Sequence, residues 1–318
     1  MGGLNMTTFH ENPFKTPEER LAAAALGVRE RQFMVERLLY KYPVFKKGEQ
    51  FIRDFHFPFV GGTHGTGKIG GLLGSSRAGK STICTYYVES IVLPGPDQDG
   101  ERYPVLHITA TDQTTPSSLA DTLATATGMR SLPAKIKTQA RINMVLDRLR
   151  QVRAELVIID DAQFLFLGRT RSHLSGFQSF LKQMADLHTL NVLLVGEESV
   201  RDVIAGVDYL EGRGGFKREV LKPLGDAGKE FDDFRLLLNK IDARLPFKEP
   251  SVLHDSSAVA ADIHAFTGGS IGRVMNLVRD ASALAMNDGA TCIMLDHLRR
   301  SSDALVRVGD TRNYFRKV

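Results

Sequence analysis

The sequence predicts an α/β protein in which a parallel sheet is flanked by helices and a smaller all-helical domain follows it. Three observations carry that prediction. A glycine-rich segment, Gly70-Gly71-Leu72-Leu73-Gly74, leads into a complete phosphate-binding loop and then into helical spacing. Two continuous apolar runs, Leu156-Val157-Ile158-Ile159 and the NVLLVG stretch at 191–196, read as strands buried on both faces. Strand and helix patterns alternate as far as Leu224, after which every periodicity is helical, so a boundary falls near Gly225. The expected organisation is an N-terminal helical segment at 1–50, suited to docking a partner, a nucleotide-binding core at 51–225, and a helical lid with a C-terminal tail at 226–318.

Gly74-Ser75-Ser76-Arg77-Ala78-Gly79-Lys80-Ser81 matches GxxxxGK[ST] in full. Gly74 and Gly79 permit backbone turns that a Cβ would forbid, so that successive N–H groups can face phosphate oxygens. Lys80 supplies a point charge for the β- and γ-phosphates, and the Ser81 hydroxyl is a Mg²⁺ ligand by type and position. Thr82 opens a helix over 82–90, whose N-terminal dipole favours an anion. Ile69, Leu72 and Leu73 ahead of the loop fit a short buried strand. The chain also contains a decoy: 62–69 has the same GxxxxGK spacing, but Ile69 cannot ligate a metal and no helical pattern follows, so it reads as a loop or hairpin.

A net charge of +4 permits a polyanionic partner without requiring one. Cys84 and Cys292 are the only cysteines. They form no CxxC metal pattern or disulfide framework, which suits a reducing compartment. With no signal peptide and no apolar run of about 18 residues, a cytoplasmic protein without membrane contact is expected.

Along the chain, 17–40 reads as one or two helices that Pro43 ends. The cluster of Phe45, Phe51, Ile52, Phe55, Phe57 and Phe59 reads as core beneath the sheet, with an adenine-cupping role as the sharper alternative. A turn at 94–100 precedes a strand at 104–109, a Ser/Thr-rich segment at 110–118 and a helix at 119–127, with Gly128 as its C-cap. A long helix at 134–153 carries Lys135, Lys137, Arg141, Arg148, Arg150 and Arg153 against one acid, Asp147. A solvated face and a nucleic-acid surface are both open to it, with Lys135, Lys137 and Arg141 the DNA-facing candidates. The run ending at 159 is followed by Asp160 and Asp161. A carboxylate at the C-terminal edge of a central strand lies where open α/β sheets bind ligands. Asp160 is therefore the metal-associated acid, and Asp161 the candidate base for an attacking water. The segment 209–224 reads as a basic loop, and 230–245, 258–266, 271–286 and 295–306 as helices.

These motifs, in this order, closely resemble the AAA+ ATPases that regulate DNA transposition, of the TniB and TnsC type and more distantly MuB-like. The resemblance runs from about 51 to 279. It rests on the phosphate loop, IIDDAQ, NVLLVG, the basic loop before LKPL, then FDDFRLLLNKIDARLPF and TGGSIGRVMNLV. It implies a phosphate-loop AAA+ core with a helical lid, ATP and Mg²⁺ as cofactors, and ATP hydrolysis. In that scheme Lys80 and Ser81 hold triphosphate and metal, and Arg273 is the lid arginine that senses the γ-phosphate. Arg213 or Arg218 is the finger inserted by a neighbouring subunit. It also implies a homo-oligomeric ring or helical filament on double-stranded DNA that marks target sites for a transposase and a target-selection protein, then disassembles on hydrolysis. The chain departs from the family at Asp161, where glutamate is usual, and at Glu197 and Glu198, where a polar sensor is usual. A carboxylate drawn back by about 1.5 Å implies slow turnover. Alternative readings are another AAA+ DNA-loading ATPase of the origin-recognition type, a nucleotide-gated protein scaffold, and a small-molecule phosphotransferase. The helical lid and the lack of an acceptor-binding segment argue against the last.

Overall fold

The computed structural model describes residues 9–91, 95–98, 100–129, 132–133, 135–207, 215–254, 256–306 and 308–316. They form two compact units, Pro43–Lys222 and the chain on either side of it. The N-terminal helices α1 (Pro17–Ala24) and α2 (Val28–Glu36) belong to the second of these.

The first unit is built on five parallel strands: β1 (Ile69–Gly74), β2 (Val105–Thr109), β3 (Leu156–Asp160), β4 (Asn191–Gly196) and β5 (Lys217–Leu221). Their order is β2-β3-β4-β1-β5. The apolar runs foreseen at 156–159 and 191–196 are central strands, and β1, β3 and β4 are buried along their whole length. β5 replaces part of the expected basic loop at 209–224, of which 209–214 lie outside the described residues. An edge strand with exposed Lys217 and Arg218 needs no continuous apolar run, so its pattern did not read as a strand. A small antiparallel ribbon, Gly95–Asp97 with Gly100–Arg102, stands where a turn was expected.

Alternate strand residues face opposite layers. Helices α3 (Pro43–His56) and α4 (Lys80–Ser90) cover one face. Pro43 starts α3 rather than ending the preceding pattern, because its fixed φ and missing N–H suit a first helical turn. Phe45, Phe51, Ile52 and Phe55 are core, whereas Phe57 and Phe59 are exposed beyond the helix end. The close fit shows at Gly70, where a Cβ would come within 2.6 Å of the Phe55 ring. Buried Asn191 ties α3 to the sheet. Its amide donates to the Phe55 carbonyl at 2.9 Å and accepts from the Lys68 amide at 3.0 Å.

The other face is covered by α5 (Pro116–Ala126), α6 (Thr138–Gln151), α7 (Arg171–Ala185) and α8 (Ser199–Ala205). Thr115 caps α5 in a capping box with Ser118 and Pro116 takes its first turn, so the helix begins inside the Ser/Thr-rich segment. α6 begins at Thr138, later than the expected 134. Lys135 and Lys137 therefore precede the helix instead of lying on it.

In the second unit, α9 (Gly228–Asp242), α10 (Ser257–Thr267), α11 (Ile271–Asn287) and α12 (Leu295–Leu305) pack with α2. Arg279 on α11 donates to the Glu36 carbonyl at 2.9 Å, and Arg244 donates to the Glu11 carbonyl at 2.6 Å. Among the described residues, no helix is long and apolar enough to cross a membrane.

Candidate functional site

Strand register sets the site. Leu73 at the end of β1 is level with Gly196 of β4, Gly74 with Leu221 of β5, and Asp160 of β3 with Thr109 of β2. All five strands thus finish along one edge, and the phosphate loop leaves β1 there. Gly74 (φ 151°) has no room for a side chain, since a Cβ would lie 2.5 Å from the Leu221 carbonyl oxygen. Arg77 and Gly79 are left-handed, with φ of 67° and 90°. For Arg77 that conformation costs about 1–2 kcal/mol, which the folded loop must supply. No side chain caps α4, so the amides of its first turn are available to an external anion.

Lys80 opens α4, and its Nζ donates to the Gly74 and Ser75 carbonyls, each at 2.8 Å. Burial pushes the ammonium pKa down, against the opposing pull of Asp160, Asp161 and Glu197. The cation is thus held under the loop, facing three acids. Burial alone would push the Asp160 carboxyl up. Its neighbours His107 and Ser81, the Ser81 hydroxyl as a hydrogen-bond donor, together with the Asp161 amide outweigh burial and hold it below the usual range. His107 Nε2 lies 3.6 Å from Asp160 Oδ2, beyond hydrogen-bond reach, so its influence is electrostatic. Asp160 is thus an anion with a hydroxyl beside it. These are hard oxygen ligands of the kind Mg²⁺ takes in ones and twos when phosphates complete its shell. Among the described residues, no group of three or more His, Cys, Asp or Glu side chains could hold a metal unaided.

Asp161 lies in the left-handed region at φ 52°. Its amide donates to Asp160 Oδ1 at 2.9 Å, and its Oδ1 accepts from Gln163 Nε2 at 3.1 Å. The Glu197 amide at the end of β4 donates to Gln163 Oε1 at 3.3 Å. The structure therefore brings together Lys80, Ser81, Asp160 and Asp161, four of the residues singled out from sequence, and adds His107 and Gln163. Each of the two added residues carried a signal. His107 is the one ionisable residue in an otherwise apolar strand pattern, and Gln163 closes the IIDDAQ run.

Arg218 is exposed on β5, and its Nη1 makes a long 3.4 Å contact with the Phe216 carbonyl. Arg213 lies outside the described residues. Arg273 is half-buried in the first turn of α11, in the second unit. Lys135 and Lys137 are exposed. Arg141, by contrast, is held inside the unit. It is 8% exposed, paired with Asp121, and donates to the Pro133 carbonyl at 3.0 Å. Arg148 pairs with Glu101 and Arg150 with Asp147, so most of the helix's positive charge is neutralised within the unit.

Residues 63–204 match the family model for the AAA domain. No curated protein matches the chain by sequence. Among solved structures, Cdc6p from Pyrobaculum aerophilum superposes with a TM-score of 0.62 at 16% identity, over 84% of this chain and 68% of that one. The ORC2 protein of Aeropyrum pernix, in ADPNP–ADP complexes, gives 0.58 at 15% identity over 81% and 67%. The Aeropyrum pernix ORC1 protein in complex with DNA gives 0.56 at 15% identity over 82% and 64%. The chain thus spans about two thirds of the length of these proteins. Residues 63–204 are matched by the AAA domain family, and the chain has the parallel-sheet AAA+ fold of the Cdc6 and ORC structures.

Proposed function

We propose that the chain is an ATP-dependent, DNA-bound oligomeric regulator of transposition that hydrolyses ATP slowly and releases DNA afterwards. The observation that carries the nucleotide reading is the meeting of Lys80, Ser81, Asp160 and Asp161 at one sheet edge beside an uncapped helix N-terminus. The loop amides and Lys80 bind the triphosphate, with Lys80 exchanging two carbonyl acceptors for phosphate oxygens. Ser81 and Asp160 would hold Mg²⁺, which when bound neutralises charge on the phosphates. Asp161 orients the attacking water and accepts its proton.

The DNA reading rests on exposed Lys135 and Lys137 ahead of α6 and on the mildly basic chain, now without Arg141. Contacts of this kind give affinity with little base specificity. Arg218, exposed on the edge strand, is the candidate to complete a neighbouring subunit's pocket. Fold likeness to Cdc6 and ORC proteins favours a second reading, an origin-recognition-type DNA-loading ATPase. The two differ in DNA preference: a transposition regulator coats duplexes of any sequence, whereas an origin-type protein selects a site.

The deciding experiment is Lys80→Ala. The expected outcome is loss of ATP-dependent duplex binding in a gel-shift or anisotropy assay, with the fold retained by circular dichroism. Wild-type DNA binding by that variant would sink the proposal.

A further inference from the structure

Gln163 is 9% exposed and committed at both ends of its amide. Its Nε2 donates to Asp161 Oδ1 at 3.1 Å, and its Oε1 accepts from the Glu197 amide at 3.3 Å. The surrounding backbone is shaped around it. A Cβ on Gly196 would lie 2.5 Å from Gln163 Oε1, so a side chain there would push the Gln163 amide out of its present position. Gly196 is level with Leu73, the residue before the first glycine of the phosphate loop. Asp161 is held in a left-handed conformation, with its amide already bound to Asp160. Its backbone is therefore set by the metal-associated acid, and Gln163 controls its remaining freedom, the side-chain rotation.

We infer that Gln163 is a positioning residue that aims the Asp161 carboxylate and links it to the end of β4, the strand next to the one that carries the phosphate loop. This rests on the reading of Asp161 as the base. In the step concerned, the water oxygen bonds to the γ-phosphorus while the bond from that phosphorus to the bridging oxygen breaks. The bonding pair leaves with ADP, and the water proton passes to Asp161. An amide N–H on Oδ1 keeps that oxygen occupied and turns Oδ2 toward the proton. The Glu197 amide ties the Gln163 side chain, and through it the carboxylate, to the end of β4. A carboxylate one methylene shorter than glutamate depends on such aiming, because a displacement of about 1 Å can cost on the order of a hundredfold in rate.

The test uses the full chain with Mg²⁺–ATP and four variants: Gln163→Ala, the near-isosteric Gln163→Glu, Gly196→Ala and the Gln163→Ala/Gly196→Ala double. Gln163→Ala and Gln163→Glu are expected to lower kcat by about tenfold or more. Affinity for a fluorescent ATP analogue should stay within about twofold of wild type, since neither variant touches the loop or Lys80. A readout independent of turnover comes from Gly196→Ala. Its melting temperature should fall in the parent chain and recover in the double variant, where the clashing oxygen is gone. Turnover by both Gln163 variants within about twofold of wild type, alongside loss in Asp161→Ala, would overturn this inference alone. Retained turnover in Asp161→Ala would overturn it together with the assignment of the base.

Discussion

Glu155, one residue before β3, shares a buried site with an imidazole, a phenol and a guanidinium. His56 Nε2 lies 3.1 Å from Glu155 Oε2, His56 Nδ1 lies 2.9 Å from the Tyr87 hydroxyl, and Arg102 Nη2 donates to Glu155 Oε1 at 2.9 Å. Burial would raise the Glu155 carboxyl, but hydrogen bonds from His56 and Arg102 outweigh it and bring it down to about 2. The sign follows from linkage. A depressed carboxylate pKa adds stability that is fully present above the unfolded value of 4.5 and is lost as pH falls toward 2. Urea melts between pH 6 and 2.5 should therefore show this contribution declining below about pH 4.5, and Glu155→Gln should flatten that part of the profile. At neutral pH the same substitution should cost about 1–2 kcal/mol, the scale of hydrogen bonds to a charged group, reduced for partial exposure. Unchanged acid sensitivity in Glu155→Gln would show that other carboxylates dominate it.

Among the elements, α3 and α6 make opposite use of residues that look alike in sequence. The aromatic stripe of α3 is spent on packing. Phe55 is 3% exposed and fills the space left by Gly70, so Phe55→Ala should destabilise the unit by about 3–4 kcal/mol in denaturant melts. Gly70→Val should also destabilise, since its side chain would meet the Phe55 ring, and Phe55→Ala should partly suppress that effect. The positive charge of α6 is spent on ion pairs. Arg141→Ala should cost about 1–3 kcal/mol, because it leaves Asp121 and the Pro133 carbonyl without their donor. It should leave DNA affinity unchanged once the protein is folded. A selective loss of DNA binding with normal stability would return Arg141 to the nucleic-acid surface.

For the whole molecule, the proposed cycle joins nucleotide, self-association and DNA. If the assembly grips duplex through backbone phosphates, the logarithm of its affinity should fall linearly with the logarithm of salt, with a slope near −0.9 per contact. Replacing Lys135 and Lys137 together by Ala should shallow that slope by about two contacts per subunit engaged, without changing nucleotide affinity. A slope identical to wild type would place the DNA surface elsewhere. Asp161→Ala should still assemble on DNA with ATP but fail to release it, seen as a persistent complex in a chase experiment. Rapid release by that variant would remove Asp161 as the base.

What could be read without coordinates was whatever depends on local chemistry. The phosphate loop is legible because only glycine allows its turns, and only lysine followed by serine or threonine suits triphosphate and metal. The central strands are legible because burial on both faces demands an unbroken apolar run, and Asp160 because it ends one of them. The tertiary structure alone decided what depends on partners distant in the chain. β5 became a strand by pairing with β1, despite an edge pattern too polar to announce itself. Arg141 became a structural cation because Asp121, twenty residues earlier, lies across from it. Gln163 gained its place from the end of β4, thirty-four residues later. A hydrogen bond or ion pair between remote segments leaves no periodicity in the sequence, and only folding brings its two halves together.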